Sequence, residues 1–194
     1  MPRTLIEPLT PEQVNAFLKT ITRFRDLAIV YLMLLCGLRS QEVLTLELGD
    51  INIDSHSMRI RGKGNRERSL PLPQTLVQAL ASYLRLERPR YCHTMRVFVV
   101  LKGKQRGQPM TPAGLRSLFR QRRRQPHLGP ANPHRFRHVF GTDMARCGIR
   151  LPVLQKLMGH AHHAMTLKYI NLSMEDVAQE FRRALDKLQD RYDV

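Results

Sequence analysis

Six polar side chains carry most of the chemistry this sequence could do. Arg39 follows Gly37 and Leu38 where an apolar run breaks, and Lys63 sits between Gly62 and Gly64. His134 and Arg137 are three apart, His160 follows Gly159, and Tyr169 comes nine residues after His160. A spacing of three is about one helical turn, so His134 and Arg137 project from one face. Two arginines, a lysine, two histidines and a tyrosine suit in-line attack on a phosphodiester. In that reading the phenolic oxygen is the nucleophile. The cations offset charge building on the non-bridging oxygens, and the lysine protonates the departing alkoxide. Singly, each residue has a plainer reading: a surface arginine, a solvated turn, an exposed helix start, a half-buried tyrosine. Joint occurrence in a fixed order is what gives the chemical reading its weight.

The elements that must position these groups are legible from caps and periodicity. Thr10, with Pro11 in the first turn and Gln13 three residues on, opens a first helix. A second runs from about Thr22 through the apolar stretch Leu27–Cys36 and stops at Gly37, a residue suited to a left-handed helix end. Ser40 is expected to cap a short third helix carrying Glu42, Val43 and Leu46, which Gly49 and Asp50 break. From Ile51 to Leu72 the pattern becomes strand (57–61), glycine turn (62–65), strand (66–70). Leu76, Leu80 and Leu84 mark one face of another helix, residues 97–101 read as a short strand, and 102–107 as a basic loop. Thr111-Pro112 starts a helix ending in the run 120–124. Further helices cover His134 to Arg146 and Pro152 to Gly159, and Ser173 caps a last one with Val177, Phe181, Leu185 and Leu188 on one stripe. The expected fold class is mostly α with a small antiparallel sheet, as one domain.

Composition bears on partners. The 194 residues hold 32 Lys and Arg against 16 acids, a formal +16, and only seven of the 32 are lysines. Such a surplus repels itself unless a polyanion is at hand, and nucleic acid is the commonest one. Guanidinium forks grip phosphate oxygens bidentately, so the arginine skew fits phosphate contact. Three widely spaced cysteines (Cys36, Cys92, Cys147) form neither a disulfide framework nor a zinc ribbon. The longest apolar run is far short of the roughly 20 residues of a bilayer span, and no signal-peptide pattern opens the chain. His134 with His138, and His160 with His162 and His163, raise the question of zinc. No nearby Cys or carboxylate completes a ligand set, and Arg135, Arg137 and Arg146 oppose a dication, so no metal or cofactor is expected.

The order of the six residues resembles the tyrosine site-specific recombinases, the family of phage integrases and Xer-type recombinases. Gly37-Leu-Arg-Ser-Gln-Glu-Val43 is similar to the family's Gly-Leu-Arg-x-Ser-Glu-Leu motif, and Gly62-Lys-Gly-Asn-Arg-Glu-Arg-Ser-Leu-Pro-Leu72 to its hairpin lysine motif. Pro133-His-Arg-Phe-Arg-His138 matches Pro-His-x-x-Arg-His. Leu157-Met-Gly-His160 with Thr166 and Tyr169 matches Leu-Gly-His…Thr…Tyr. The resemblance spans about Leu9 to Leu188. It implies Arg39, Lys63, His134, Arg137, His160 and Tyr169 as catalytic residues: the tyrosine as nucleophile, the lysine as general acid, Arg39, Arg137 and His160 around the scissile phosphate, and His134 orienting it. It further implies a 3′-phosphotyrosyl link, a free 5′-hydroxyl, passage through a Holliday junction, and no need of ATP or metal.

Departures from the pattern are Gln41 for the usual serine, Met158 for the common leucine, and His162-His163 after the active-site histidine. The sequence lines up with the catalytic domain alone (about 9–172, with 173–190 a C-terminal helix docking in cis or in trans). The family's N-terminal core-binding domain has no counterpart in it. Arg66, Arg120, Arg122, Arg123 and Arg124 are the expected DNA-backbone contacts. Double-stranded DNA, a homotetramer on that DNA and accessory DNA-bending proteins are the expected partners, in the cytoplasm at the nucleoid and not at a membrane. Two alternatives stand beside strand exchange: a DNA-binding or regulatory protein on the same fold, and a type IB topoisomerase-like activity.

Overall fold

A computed structural model describes the protein over residues 8–62, 67–122 and 131–159. In chain order these form α1 (Pro11–Lys19), α2 (Phe24–Leu35), α3 (Ser40–Thr45), a 3-10 turn (Leu48–Asp50), β1 (Ile51–Asn52), β2 (Ser57–Arg61), β3 (Glu67–Pro71), α4 (Gln74–Ser82), a π-helical turn (Tyr83–Glu87), α5 (Pro112–Arg122), α6 (Pro133–Arg146) and α7 (Leu151–Met158). The expected C-terminal helix and the greater part of the 126–133 loop lie outside the described residues. The fold is mostly helical with one small antiparallel sheet, as the patterning predicts.

Helix α2 is the axis. Ala28, Ile29, Val30, Leu32 and Met33 are all buried along it, and it packs against both α4 and α6. Phe17 of α1 stacks on Phe119 of α5, with centroids 5.5 Å apart, and tilts against Phe136 of α6 at 4.9 Å. These rings join three helices into one core. α1 begins as predicted: Gln13 N–H donates to Thr10 Oγ1 at 3.3 Å, and Thr10 N–H donates back to Gln13 Oε1 at 3.0 Å.

The start of α2 differs from the sequence expectation. It begins at Phe24, because the carboxylate of Glu87 accepts the N–H of Phe24 at 3.0 Å and of Arg25 at 2.9 Å. A capping group supplied from the far side of α4 does the work that a local Ser or Thr would otherwise do. At its other end the chain turns at Gly37, with φ +64°, and Leu38 N–H donates to Leu32 O at 3.0 Å. A Cβ at Gly37 would run into the Phe140 ring of α6. Glycine is required there twice over, by its backbone and by its neighbour.

The sheet runs β1-β2-β3, all antiparallel, with Met58 opposite Leu70 and Ile60 opposite Arg68. Met58, Ile60 and Leu70 are buried. Residues two apart on a strand share a face, so Arg68 lies on the side of buried Leu70. Residues 97–101, expected as a strand, form none. Only the isolated bridges Glu47–Arg96 and Val99–Pro109 occur along that stretch. Its amides are divided among several partners: Val97 N–H bonds Leu46 O, Val99 N–H bonds the Tyr83 hydroxyl and Val100 N–H bonds Gln108 O. Among the described residues no helix is long and apolar enough to cross a membrane.

Because Gly37 combines a left-handed φ with a neighbouring ring, Gly37→Ala is expected to destabilise the protein by about 1–3 kcal/mol from overpacking, before backbone strain is added. Urea unfolding of the two proteins measures the difference. An unchanged midpoint would show that Phe140 yields freely.

Candidate active site

The site is built around one carboxylate. Arg39 is extended at the N-cap of α3, which makes Ser40 the first helical residue rather than the cap expected of it. Glu42 then falls at the third helical position, from which its side chain folds back. Oε2 accepts the Arg39 main-chain N–H at 2.8 Å. Glu42 is only 7% exposed, and three guanidiniums surround it. Arg68 presents its fork, Nη1 to Oε1 at 2.8 Å and Nη2 to Oε2 at 3.0 Å. Arg39 Nη1 donates to Oε1 at 3.1 Å, and Arg137 Nη1 lies 3.9 Å from Oε2. Burial pushes the Glu42 carboxyl up. The two hydrogen bonds and the charge of Arg68, with the Arg39 amide and the Arg137 charge, outweigh that and hold it below its usual value of 4.5.

The same three arginines meet a second time, at the end of α7. Arg68 Nε donates to Leu157 O at 2.9 Å, Arg137 Nη2 to Met158 O at 2.8 Å, and Arg39 Nη2 to Gly159 O at 3.2 Å. Three consecutive carbonyls are each taken by an arginine from a different element. The last carbonyls of a helix lack partners within it and carry the negative end of its dipole, so cations suit them. Arg137 also donates from Nη1 to Gly37 O, tying α6 to the left-handed turn between α2 and α3. Gly159 closes α7 with φ +61°, and a Cβ there would come within 2.9 Å of Arg68 Nη1.

Of the six predicted catalytic residues, the structure brings Arg39 and Arg137 together on Glu42 and the end of α7. Arg39 keeps 39% of its side chain exposed, whereas Arg137 is 4% exposed. His134 is exposed in the first turn of α6, one turn ahead of Arg137, where Asn132 caps the helix by accepting the Arg135 N–H at 3.0 Å. Lys63, His160 and Tyr169 lie outside the described residues. So do Arg66, Arg123 and Arg124.

Arg120 is exposed on α5. Arg122, expected as a DNA-backbone contact, has partners within the protein. Its guanidinium faces inward, with Nη2 on Asp26 Oδ2 at 3.0 Å and Nη1 on Leu118 O at 2.9 Å, and its side chain is 14% exposed. Buried Asp26 needs cations, and Arg122 and Arg25 supply them.

Glu42 and Arg68 are the residues that sequence reasoning passed over, although both lie inside quoted motifs. A signal for Arg68 was present: on an alternating strand it shares parity with Leu70 and Leu72, an inward position for a charge. Other reactive groups are taken out of play by their surroundings. Burial pushes the Cys36 thiol up to about 12 against the lowering charge of Arg68. The buried phenol of Tyr83, also pushed up to about 12 by burial, donates to Val97 O at 2.9 Å. Burial, and then the neighbouring His134, lower His138 from its usual value.

A buried carboxylate is thus shared by arginines from the N-cap of α3, from β3 and from α6, on a helical scaffold. Residues 7–176 match the family model described as the phage integrase family, and the chain belongs to that family. It is 30% identical over 187 residues to tyrosine recombinase XerA of Pyrococcus furiosus, covering 95% of this chain and 64% of that protein. It is 32% identical over 181 residues to tyrosine recombinase XerC of Chlamydia caviae, covering 90% and 57%. The chain therefore spans between about half and two thirds of these relatives' length.

Among solved structures, that of XerA recombinase superposes with a TM-score of 0.78 at 23% identity, over 94% of this chain and 66% of that one. The Tn1549 transposon integrase in complex with circular intermediate DNA gives 0.75 at 24%, over 92% and 67%. Both likenesses establish a tyrosine recombinase catalytic-domain fold.

Since the folded-state pKa of Glu42 is depressed, its contribution to stability is present above about pH 4.5 and is lost as pH falls through the folded value. In Glu42→Gln that share of the acid-limb slope disappears, while Glu42→Ala, which strands three cations, costs about 3–5 kcal/mol at pH 7. Urea melts from pH 3 to 7 check both. Parallel acid limbs in wild type and Glu42→Gln would remove the charge from this account.

Proposed function

We propose that the protein cleaves and rejoins double-stranded DNA through a 3′-phosphotyrosyl intermediate, as a site-specific recombinase needing neither metal nor ATP. The convergence of Arg39 and Arg137 on one buried carboxylate carries the reading, together with membership of the phage integrase family. Three guanidiniums against one carboxylate leave a surplus of positive charge. A phosphodiester gains negative charge on its non-bridging oxygens as it becomes five-coordinate, and donors held in place before that moment stabilise it by roughly 2.7–4 kcal/mol each.

In this reading Tyr169 attacks the phosphorus as its phenolic proton passes to His134, and the strand's 5′-oxygen leaves with a proton from Lys63. His160 joins Arg39 and Arg137 on the phosphate, and His134 orients it. The ester energy stays in the phosphotyrosyl bond, so a 5′-hydroxyl from a partner duplex reverses the step. Strand exchange through a Holliday junction calls for paired sites, hence a homotetramer on DNA, with DNA-bending proteins as its accessories and the nucleoid as its place of work. Arg120 is the described arginine assigned here to the phosphate backbone, and Arg66, Arg123 and Arg124 are assigned the same role.

On a nicked suicide duplex drawn from DNA flanking the native gene, wild type is expected to form a covalent adduct. Tyr169→Phe binds the duplex but forms none. Gel resolution and peptide mapping of the adduct read this out, and an adduct in the mutant would move the nucleophile elsewhere.

Arg120 and Arg122 of α5 should separate cleanly. Arg120→Ala lowers the slope of log affinity against log salt by about one and leaves the melting temperature unchanged. Arg122→Ala lowers the melting temperature and leaves that slope alone. Salt titrations and thermal melts of both variants decide it, and the reverse pattern would reassign the two residues.

A further inference from the structure

Arg68 is a closely engaged cation in the site, and strand exchange as proposed above gives it no step. Its guanidinium makes three bonds to two separate elements: both oxygens of Glu42 on α3, and the Leu157 carbonyl at the end of α7. The side chain is 8% exposed, so it is not a surface group awaiting a phosphate. It sits on β3, the second strand of the hairpin whose connecting residues include Lys63. Through Leu157 it holds the turn that leads directly, via Gly159, into His160. One planar group thus joins β3, α3 and the end of α7, each of which carries or adjoins a proposed catalytic residue. It reaches α6 through the shared carboxylate, 3.9 Å from Arg137 Nη1.

We propose that Arg68 is a positioning residue for strand cleavage: it fixes the Glu42 carboxylate and the end of α7 against the β2–β3 hairpin, so that Arg39, Arg137 and the groups after Gly159 address a single phosphate. This deepens the recombinase reading and rests on it. The fork geometry is essential. A guanidinium reaches both carboxylate oxygens and a carbonyl at fixed angles, whereas an ammonium on a flexible stem is a point charge that keeps the attraction and loses the alignment. With Arg68 gone, Arg39 and Arg137 still find Glu42, but the bonds that tie that carboxylate to β3 are lost. The close approach at Gly159 is part of the same device, since the guanidinium lies where a side chain would stand.

Arg68→Lys in the 194-residue chain tests this, because it conserves charge in a buried place. DNA affinity is measured by anisotropy, and the rate constant and amplitude of single-turnover adduct formation on the suicide duplex are measured separately. A displacement of about 1 Å can cost on the order of 100-fold in rate. The expected result is a rate constant lower by roughly 10- to 100-fold, with affinity within about twofold of wild type and the amplitude preserved. An unchanged rate constant overturns the proposal. So does a fall in amplitude alone, which is what a merely structural role would produce by reducing the folded fraction.

Amide exchange of the peptide covering residues 151–159 supplies the second arm. It should quicken in Arg68→Lys while exchange in α2 stays at the wild-type rate, and equal exchange at 151–159 overturns the proposal. If wild type itself forms no adduct, the recombinase reading fails, and the exchange arm still decides whether Arg68 holds the end of α7.

Discussion

Everything at this site depends on one electrostatic constraint: guanidiniums of like charge share a place largely withdrawn from water only if an anion sits among them. Glu42 is that anion. Its two oxygens take the Arg68 fork, an Arg39 nitrogen and the Arg39 amide, with Arg137 close by. In a desolvated setting the repulsion between arginines is large, and so is the attraction each has for the carboxylate. The geometry around the carboxylate is therefore the geometry of the arginines. It also explains why α3 begins where it does, since the residue that anchors the cations caps the helix from its third position.

From that centre the surrounding folds make sense as supports. Gly37 lets the chain reverse so that Arg39 and the Gly37 carbonyl, which Arg137 grips, come to the same spot. The end of α7 arrives with its negative dipole and three unpaired carbonyls, and each is matched by one arginine. Arg39, the most exposed of the three, is the one whose remaining hydrogen-bonding capacity faces outward. Arg68, buried behind it, spends its guanidinium on Glu42 and the Leu157 carbonyl.

How far the sequence could be read depended on how local the decisive contacts were. The Thr10 box, the stop at Gly37, the alternation of 57–61 and the Gly159 helix end each rest on neighbours within a few residues, and they appear as expected. The errors share the opposite property. α2 starts at Phe24 because Glu87 caps it from more than sixty residues away. Residues 97–101 fail to form a strand because their partners come from several segments. Arg122, placed on a basic face by its neighbours in sequence, is claimed instead by Asp26, ninety-six residues distant. Glu42 was in view inside its motif, yet nothing local told its carboxylate apart from an ordinary helix-capping glutamate.

By itself the sequence determined which reactive groups exist, their order, and the kind of element each stands on, because side-chain identity, periodicity and capping are properties of short stretches of chain. It also determined the charge surplus that points to a polyanion. Only the tertiary structure decided what each arginine is for. Arg39, Arg68, Arg120, Arg122 and Arg137 are chemically one residue, and whether a guanidinium meets a carboxylate, a carbonyl or water is set by which distant segments pack beside it. The contact of Arg68 with Leu157 spans eighty-nine residues. No window on the chain contains both ends of such a bond.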